Sequence, residues 1–140
     1  MNTHPLVVER TMNAPVQSVW EALTDNEKLK QWYFPLTTFE ATPGFEFSFK
    51  AGKEGEEYLH HCKVTAVEPL KKLAYSWRYD GYAGDSEVTW ELFREGDKTR
   101  LRITHSGLDT FPLEEAFAVE RFSEGWNYIL GTSLKDFLAK

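Results

Sequence analysis

Between Leu6 and Met12 the side chains alternate, with Leu6, Val8, Arg10 and Met12 on one face of an extended strand and Val7, Glu9 and Thr11 on the other. Asn13-Ala14-Pro15 ends the strand. Pro15 suits the first turn of a helix and Asn13 its cap, and Val16, Val19, Trp20 and Leu23 then recur at helical spacing. Beyond the Thr24-Asp25 break, Asn26 to Trp32 reads as a second short helix with Leu29 and Trp32 turned inward and Pro35 as its stop.

From Phe39 the period falls to two. The first strand there is weakly marked, but the Pro43-Gly44 turn opens onto Phe45, Phe47 and Phe49 alternating with Glu46, Ser48 and Lys50. A Gly- and Glu-rich turn over 51–57 follows. Then His60, Cys62, Val64 and Ala66 alternate with His61, Lys63 and Thr65, and Pro69 closes that strand. Leu73, Tyr75, Trp77 and Tyr79 form the next inner face, and Val88, Trp90 and Leu92 the one after the loop holding Gly81 and Gly84. The Glu95-Gly96-Asp97 turn leads into Leu101, Ile103 and His105, with Arg100, Arg102 and Thr104 outward. This spacing predicts six to seven antiparallel strands.

Helical period returns near Leu113, after a loop from Gly107 to Pro112. Phe117, Phe122, Trp126, Leu130, Ser133 or Leu134, and Phe137 then share one broad stripe. Strand, two short helices, meander and long terminal helix is an α+β order, and that helix is the one apolar surface large enough to cover the sheet. With no repeat, charge block or linker in the pattern, one domain over residues 1–140 is expected.

Composition narrows the function classes. Five Trp, six Tyr and ten Phe supply ring surface that a disordered chain would not carry. The 16 basic and 22 acidic side chains leave a net charge of −6, so nucleic acid and anionic membrane surfaces are poor partners. Cys62 stands alone, which excludes an internal disulfide framework and a thiolate metal cluster. Met1 to Val8 lacks the basic and apolar regions of a secretory signal and no apolar run approaches the ~20 residues of a membrane span, so a cytoplasmic location is expected.

Several motifs occur in a familiar order: Val19-Trp20-Glu21-Ala22-Leu23-Thr24-Asp25, Trp32, Pro69 before Leu73-Ala74-Tyr75-Ser76-Trp77, Val88-Thr89-Trp90-Glu91-Leu92, Thr99-Arg100-Leu101, Thr104-His105-Ser106-Gly107 and Gly125-Trp126. Together they resemble the heat shock protein 90 ATPase activator homologue family of the START-like superfamily. The resemblance implies a helix-grip fold, in which a curved antiparallel sheet wraps a long C-terminal helix. Functionally the superfamily spans lipid carriers, cyclases, hormone receptors and co-chaperone modules on one scaffold. In this chain Pro43-Gly44 stands where family members often carry a Gly-Gly pair. Its length leaves no room for the separate N-terminal domain of the eukaryotic co-chaperones.

An apolar cavity with a few placed polar groups is the usual form of a small-molecule site. The candidate ligand-binding residues are Arg10, Trp32, Phe47, His60, Tyr75, Trp77, Trp90, His105, Trp126, Leu130, Ser133 and Phe137, around a small hydrophobic or amphipathic molecule. Arg10 should point inward and need a carboxylate partner or a ligand anion, because an unpaired buried guanidinium costs several kcal/mol. His60 and His61 leave opposite faces of a strand and cannot chelate one ion, so no metal and no cofactor are expected. Gly125 should let the terminal helix approach the sheet, with Trp126 lining the cavity. Two other readings stand beside ligand binding. One is a co-chaperone-like module acting on a heat shock protein 90 type ATPase. The other is a cyclase- or dehydratase-like enzyme using His60, His105 or Tyr75 as acid or base. A monomer or a weak homodimer paired through an edge strand is expected.

Overall fold

The computed structural model describes residues 5–33, 38–53, 56–112 and 119–139. Six antiparallel strands form one sheet in the order β1-β6-β5-β4-β3-β2. They are β1 Leu6–Met12, β2 Glu46–Lys53, β3 Glu56–Glu68, β4 Lys72–Tyr79, β5 Ser86–Glu95 and β6 Lys98–Ser106. Helices α1 (Val16–Thr24) and α2 (Asn26–Trp32) lie between β1 and β2, and the chain closes with α3 (Val119–Tyr128), a π-helical segment Ile129–Leu134 and α4 (Lys135–Leu138). This is the expected helix-grip architecture. Phe39 lies outside any strand, and the weakly marked seventh strand is absent among the described residues. Pro35, the stretch from Leu113 and Phe117 fall outside the described residues.

Local chemistry sets most boundaries. Pro15 holds the N-cap position of α1 in extended geometry without a side-chain hydrogen bond, so Asn13 does not cap this helix. Asp25 does cap: its carboxylate accepts from the backbone N–H groups of Glu27 and Lys28, which separates α2 from α1 as a new helix. Between β5 and β6 the pairing of Glu95 with Lys98 leaves a two-residue turn whose Gly96 takes a φ of 67°, a conformation suited to glycine.

Alternation carries the core as the pattern predicts. In β6, Leu101, Ile103 and His105 are fully buried while Arg100 and Arg102 reach Glu9 of β1 across the outer face. One irregularity interrupts β3, where a bulge between Val64 and Ala66 shifts the pairing with β4 by one residue. Val64 is therefore buried but Ala66, two residues on, is only half-buried.

The terminal helix meets the sheet through Phe122, Trp126, Leu130 and Leu134, all buried. A spacing of four overshoots each turn of an ideal α-helix by about 40°. The wider π turn over Ile129–Leu134 takes up that drift, so Leu130 and Leu134 stay on the line begun by Phe122 and Trp126. Gly125 is exposed, and a Cβ built there meets nothing within 4 Å, so it is not what allows the close approach. Among the described residues no helix is long and apolar enough to cross a membrane.

Candidate functional site

The inner face of the sheet and the terminal helix enclose an aromatic interior with two polar clusters. The first is built on β4, β5, β6 and α3. Ser86 Oγ donates to the Trp77 carbonyl at 2.6 Å, His105 Nε2 lies 2.8 Å from Ser86 Oγ, and Trp126 Nε1 donates to His105 Nδ1 at 3.1 Å. An indole N–H can only donate, so Nδ1 is the acceptor and the neutral imidazole carries its proton on Nε2, which donates to Ser86. Every polar atom in this chain of bonds is paired. Burial among Trp77, Phe122 and Trp126 holds the His105 pKa down at about 3.

His60 is a second neutral imidazole. It stacks on Phe49 with centroids 4.5 Å apart, its Nδ1–H donates to the Tyr58 carbonyl at 2.8 Å, and burial lowers its pKa to about 4. Bases this weak hold no proton at neutral pH and have little tendency to take one. Ser86 spends its proton on a carbonyl and Cys62 is a buried thiol whose pKa burial raises, so neither is an activated nucleophile.

The second cluster sits where α2 ends against β4 and β5. Tyr33 and Tyr75 hydroxyls hydrogen-bond to each other, and Trp90 Nε1 donates to the Tyr75 hydroxyl at 3.0 Å. Burial raises the pKa of both phenols, so both are neutral. Together with Leu23, Leu29, Trp32, Phe39, Phe47 and Leu73, the residues Tyr33, Tyr75 and Trp90 line an almost wholly apolar void of about 10 Å³. That is room for about one water molecule. Trp, Tyr and Phe rings occupy the space around this void, so the residues lining it leave no room for a guest of the expected size.

Of the residues singled out from the sequence, Trp32, Phe47, Tyr75 and Trp90 line this void, and Trp77, His105 and Trp126 form the first cluster. Leu130 is fully buried, and His60 lies against Trp77. Ser133 Oγ donates to the Trp32 carbonyl, tying the π-helical segment to the end of α2. Phe137 is half-buried at the margin of the core.

Arg10 departs from its expected place. Its side chain is exposed, Nη2 donates to Asn127 Oδ1 at 2.7 Å and Nη1 to the Glu9 carbonyl at 3.1 Å. Val8 and Met12 on the same face are buried, whereas the Arg10 side chain runs out over the terminal helix, where the Asn127 amide takes the place of the expected carboxylate or ligand anion. The guanidinium lies over the terminal helix at Gly131, where an added Cβ would come 3.5 Å from Arg10 Nε. Sequence reasoning missed Tyr33 and Ser86. Ser86 was accessible to it, being two residues before Val88 on the same face as Trp90 and Leu92.

The family model for Activator of Hsp90 ATPase homolog 1-like protein matches residues 13–139. The chain belongs to this family. The family match spans both polar clusters, from the capped helices to the terminal helix. The Hsp90 co-chaperone AHA1 of Saccharomyces cerevisiae is 22% identical over 111 residues, which cover 76% of this chain and 31% of the yeast protein. Among solved structures, protein MLL2253 from Mesorhizobium loti is 28% identical with a TM-score of 0.79, covering 96% of each chain. DynU16, from the dynemicin biosynthetic locus, is 26% identical with a TM-score of 0.80 over 99% of this chain and 48% of its own. This chain thus spans about a third of the yeast co-chaperone and about half of DynU16.

Proposed function

We propose that this helix-grip domain binds a small hydrophobic or amphipathic molecule in the aromatic interior between sheet and terminal helix, beside Tyr33. The observation that carries the reading is the apolar void bounded by Trp32, Tyr33, Phe47, Tyr75 and Trp90, two of whose lining residues, Tyr33 and Tyr75, also share a hydroxyl hydrogen bond. Small-molecule sites usually offer ~300 Å³ or more, so a guest enters by displacing a side chain. Tyr33 is the candidate to move. It stands half-buried at the C-cap of α2, and swinging it outward gives up its hydroxyl bond to Tyr75 and the burial of its ring against Trp32, Phe49 and Trp90. Those losses are about 1 kcal/mol for the bond and about 1.5–3 kcal/mol for the ring. A planar guest of phenol or indole size restores most of the burial, and a donor or acceptor on it replaces the Tyr33 hydroxyl at Tyr75.

Titrating 2-naphthol into the 15N-labelled protein tests this. Saturable shifts at the Tyr75 amide and the Trp90 indole N–H are expected, with tighter binding by Tyr33→Ala, which vacates the ring's volume. Absence of saturable shifts in both proteins, together with an empty native mass spectrum of protein purified from its own host, would sink the reading.

Family membership supports a second reading, stimulation of an Hsp90-type ATPase. ATP turnover by the cognate chaperone with and without this domain tests it, and unchanged turnover removes it.

A further inference from the structure

We infer that an acidic peptide segment of a partner protein, carrying an apolar anchor, docks in the open cleft where the turn between β3 and β4 meets β5. The cleft has a volume of about 810 Å³ and shares no lining residue with the void beside Tyr75. Pro69 and Leu70 of the turn and Phe93 of β5 give it an apolar floor. Leu70 is the telling residue. Its φ is 67°, and among the described residues no other non-glycine takes a positive φ. A leucine is strained there, whereas glycine would adopt the same backbone freely. The side chain is half-buried: one part packs on the core, which offsets some of the strain, and the rest lines the cleft.

Charge selects the occupant. Lys71, Lys72, Arg94 and Arg100 line the cleft against two carboxylates, Glu68 and Glu91. Two of the cations are already matched. Lys72 stands between Glu68 and Glu91 in the strand register, and Arg100 bonds Glu9 and Glu95 while its guanidinium lies 4.3 Å over the Phe93 ring. Lys71 and Arg94 are left over: both are exposed, and neither has an ion-pair partner among the described residues. Each directly follows a residue of the apolar floor, Lys71 after Leu70 and Arg94 after Phe93. The chain as a whole carries a net charge of −6, which repels an acidic segment from the rest of the surface and makes a locally basic cleft selective for it. A small molecule is usually held in an enclosed pocket that buries most of its surface. An open cleft suits a peptide better, with an aliphatic or aromatic side chain on the floor and carboxylates on either side of it for Lys71 and Arg94.

The experiment is fluorescence anisotropy of a labelled heptapeptide, Asp-Glu-Leu-Asp-Phe-Glu-Glu, titrated with the full chain. Saturable binding that weakens with added salt is expected, with amide shifts in the 15N-labelled protein centred on Leu70, Lys71, Phe93 and Arg94. Lys71→Glu and Arg94→Glu should each weaken binding several-fold and the two together about tenfold or more, since each reversal turns an attraction into a repulsion. Leu70→Gly removes the floor while relieving the backbone, and should weaken binding about tenfold in a protein that stays folded. Circular dichroism of each variant separates lost docking from lost folding. The same peptide with serine in place of its leucine and phenylalanine should bind far more weakly. Absence of saturable binding overturns the inference. So does equal binding of the serine peptide, a double charge reversal without effect, or amide shifts that fall on another face.

Discussion

Acidification from pH 7 to pH 5 should remove about 4 kcal/mol of folding stability through His60 and His105. Both imidazoles are buried and neutral, with pKa values of about 4 and about 3. In the unfolded chain each returns to about 6.5. Between those limits the unfolded state binds more protons than the folded one, so stability is fully present above about pH 6.5 and falls as the pH drops. At pH 5 each unfolded imidazole has gained about 2 kcal/mol from protonation that its folded counterpart cannot match, and the two together give about 4 kcal/mol. Against a total of about 5–15 kcal/mol for a domain, that loss is large.

Urea denaturation at intervals from pH 7.5 to pH 5 measures it. The slope below pH 6 should approach about 2.7 kcal/mol per pH unit, the value for two protons. In His105→Gln it should fall to about half, whatever the variant's stability at pH 7.5. An unchanged slope in His105→Gln, or an imidazole resonance of His105 that titrates near pH 6.5 in the folded protein, would refute the assignment of a neutral, doubly bonded ring.

Other variants probe the same packing. Trp126→Phe keeps a ring in place but removes the donor to His105 Nδ1, and should cost about 1–3 kcal/mol by urea denaturation at pH 7.5. Gly125→Ala should raise stability by about 0.5–1 kcal/mol, because the position is helical, exposed and open to a methyl group. Gly84→Ala should lower the melting temperature clearly, since its φ is +110° and the new Cβ would lie 2.5 Å from Phe111 Cδ1 and 2.7 Å from the Thr110 carbonyl oxygen.

The residues that were legible in the sequence are those whose environment follows from periodicity alone. Phe47, Phe49, Tyr75, Trp77, Trp90 and His105 all face the interior because a pleated strand sends alternate side chains to one face. Arg10 obeys the same alternation and is nevertheless exposed, because periodicity gives a face and not a depth, and its long side chain reaches out to Asn127 on the terminal helix while Val8 and Met12 beside it stay buried. Ala66 fails for another reason, since a bulge is a property of two paired strands and leaves little trace in either one. Gly125 was misplaced because a glycine beside a tryptophan suggests close approach, whereas the contact with the sheet falls on Trp126 and on Leu130 beyond it. Tyr33 follows the last helical residue of α2, where neither period applies, so its inward turn was invisible before the chain was folded.

The two polar clusters of the interior differ in what they can offer a guest. Around His105 each donor meets an acceptor inside the protein: the Trp126 N–H, both imidazole nitrogens and the Ser86 hydroxyl are mutually paired. A ligand entering there would have to break bonds it cannot all replace, and unpaired buried groups cost about 1–3 kcal/mol each. Around Tyr75 the balance is different, because its partner Tyr33 is half-buried and can exchange its bond to Tyr75 for one to water as it leaves. The Tyr33–Tyr75 hydroxyl bond and the ring contacts of Tyr33 with Trp32, Phe49 and Trp90 are then at stake, and the space released adjoins a void already present. The His105 cluster thus ties the terminal helix to the sheet, and the Tyr75 cluster, where α2 ends, is the place we propose for a guest.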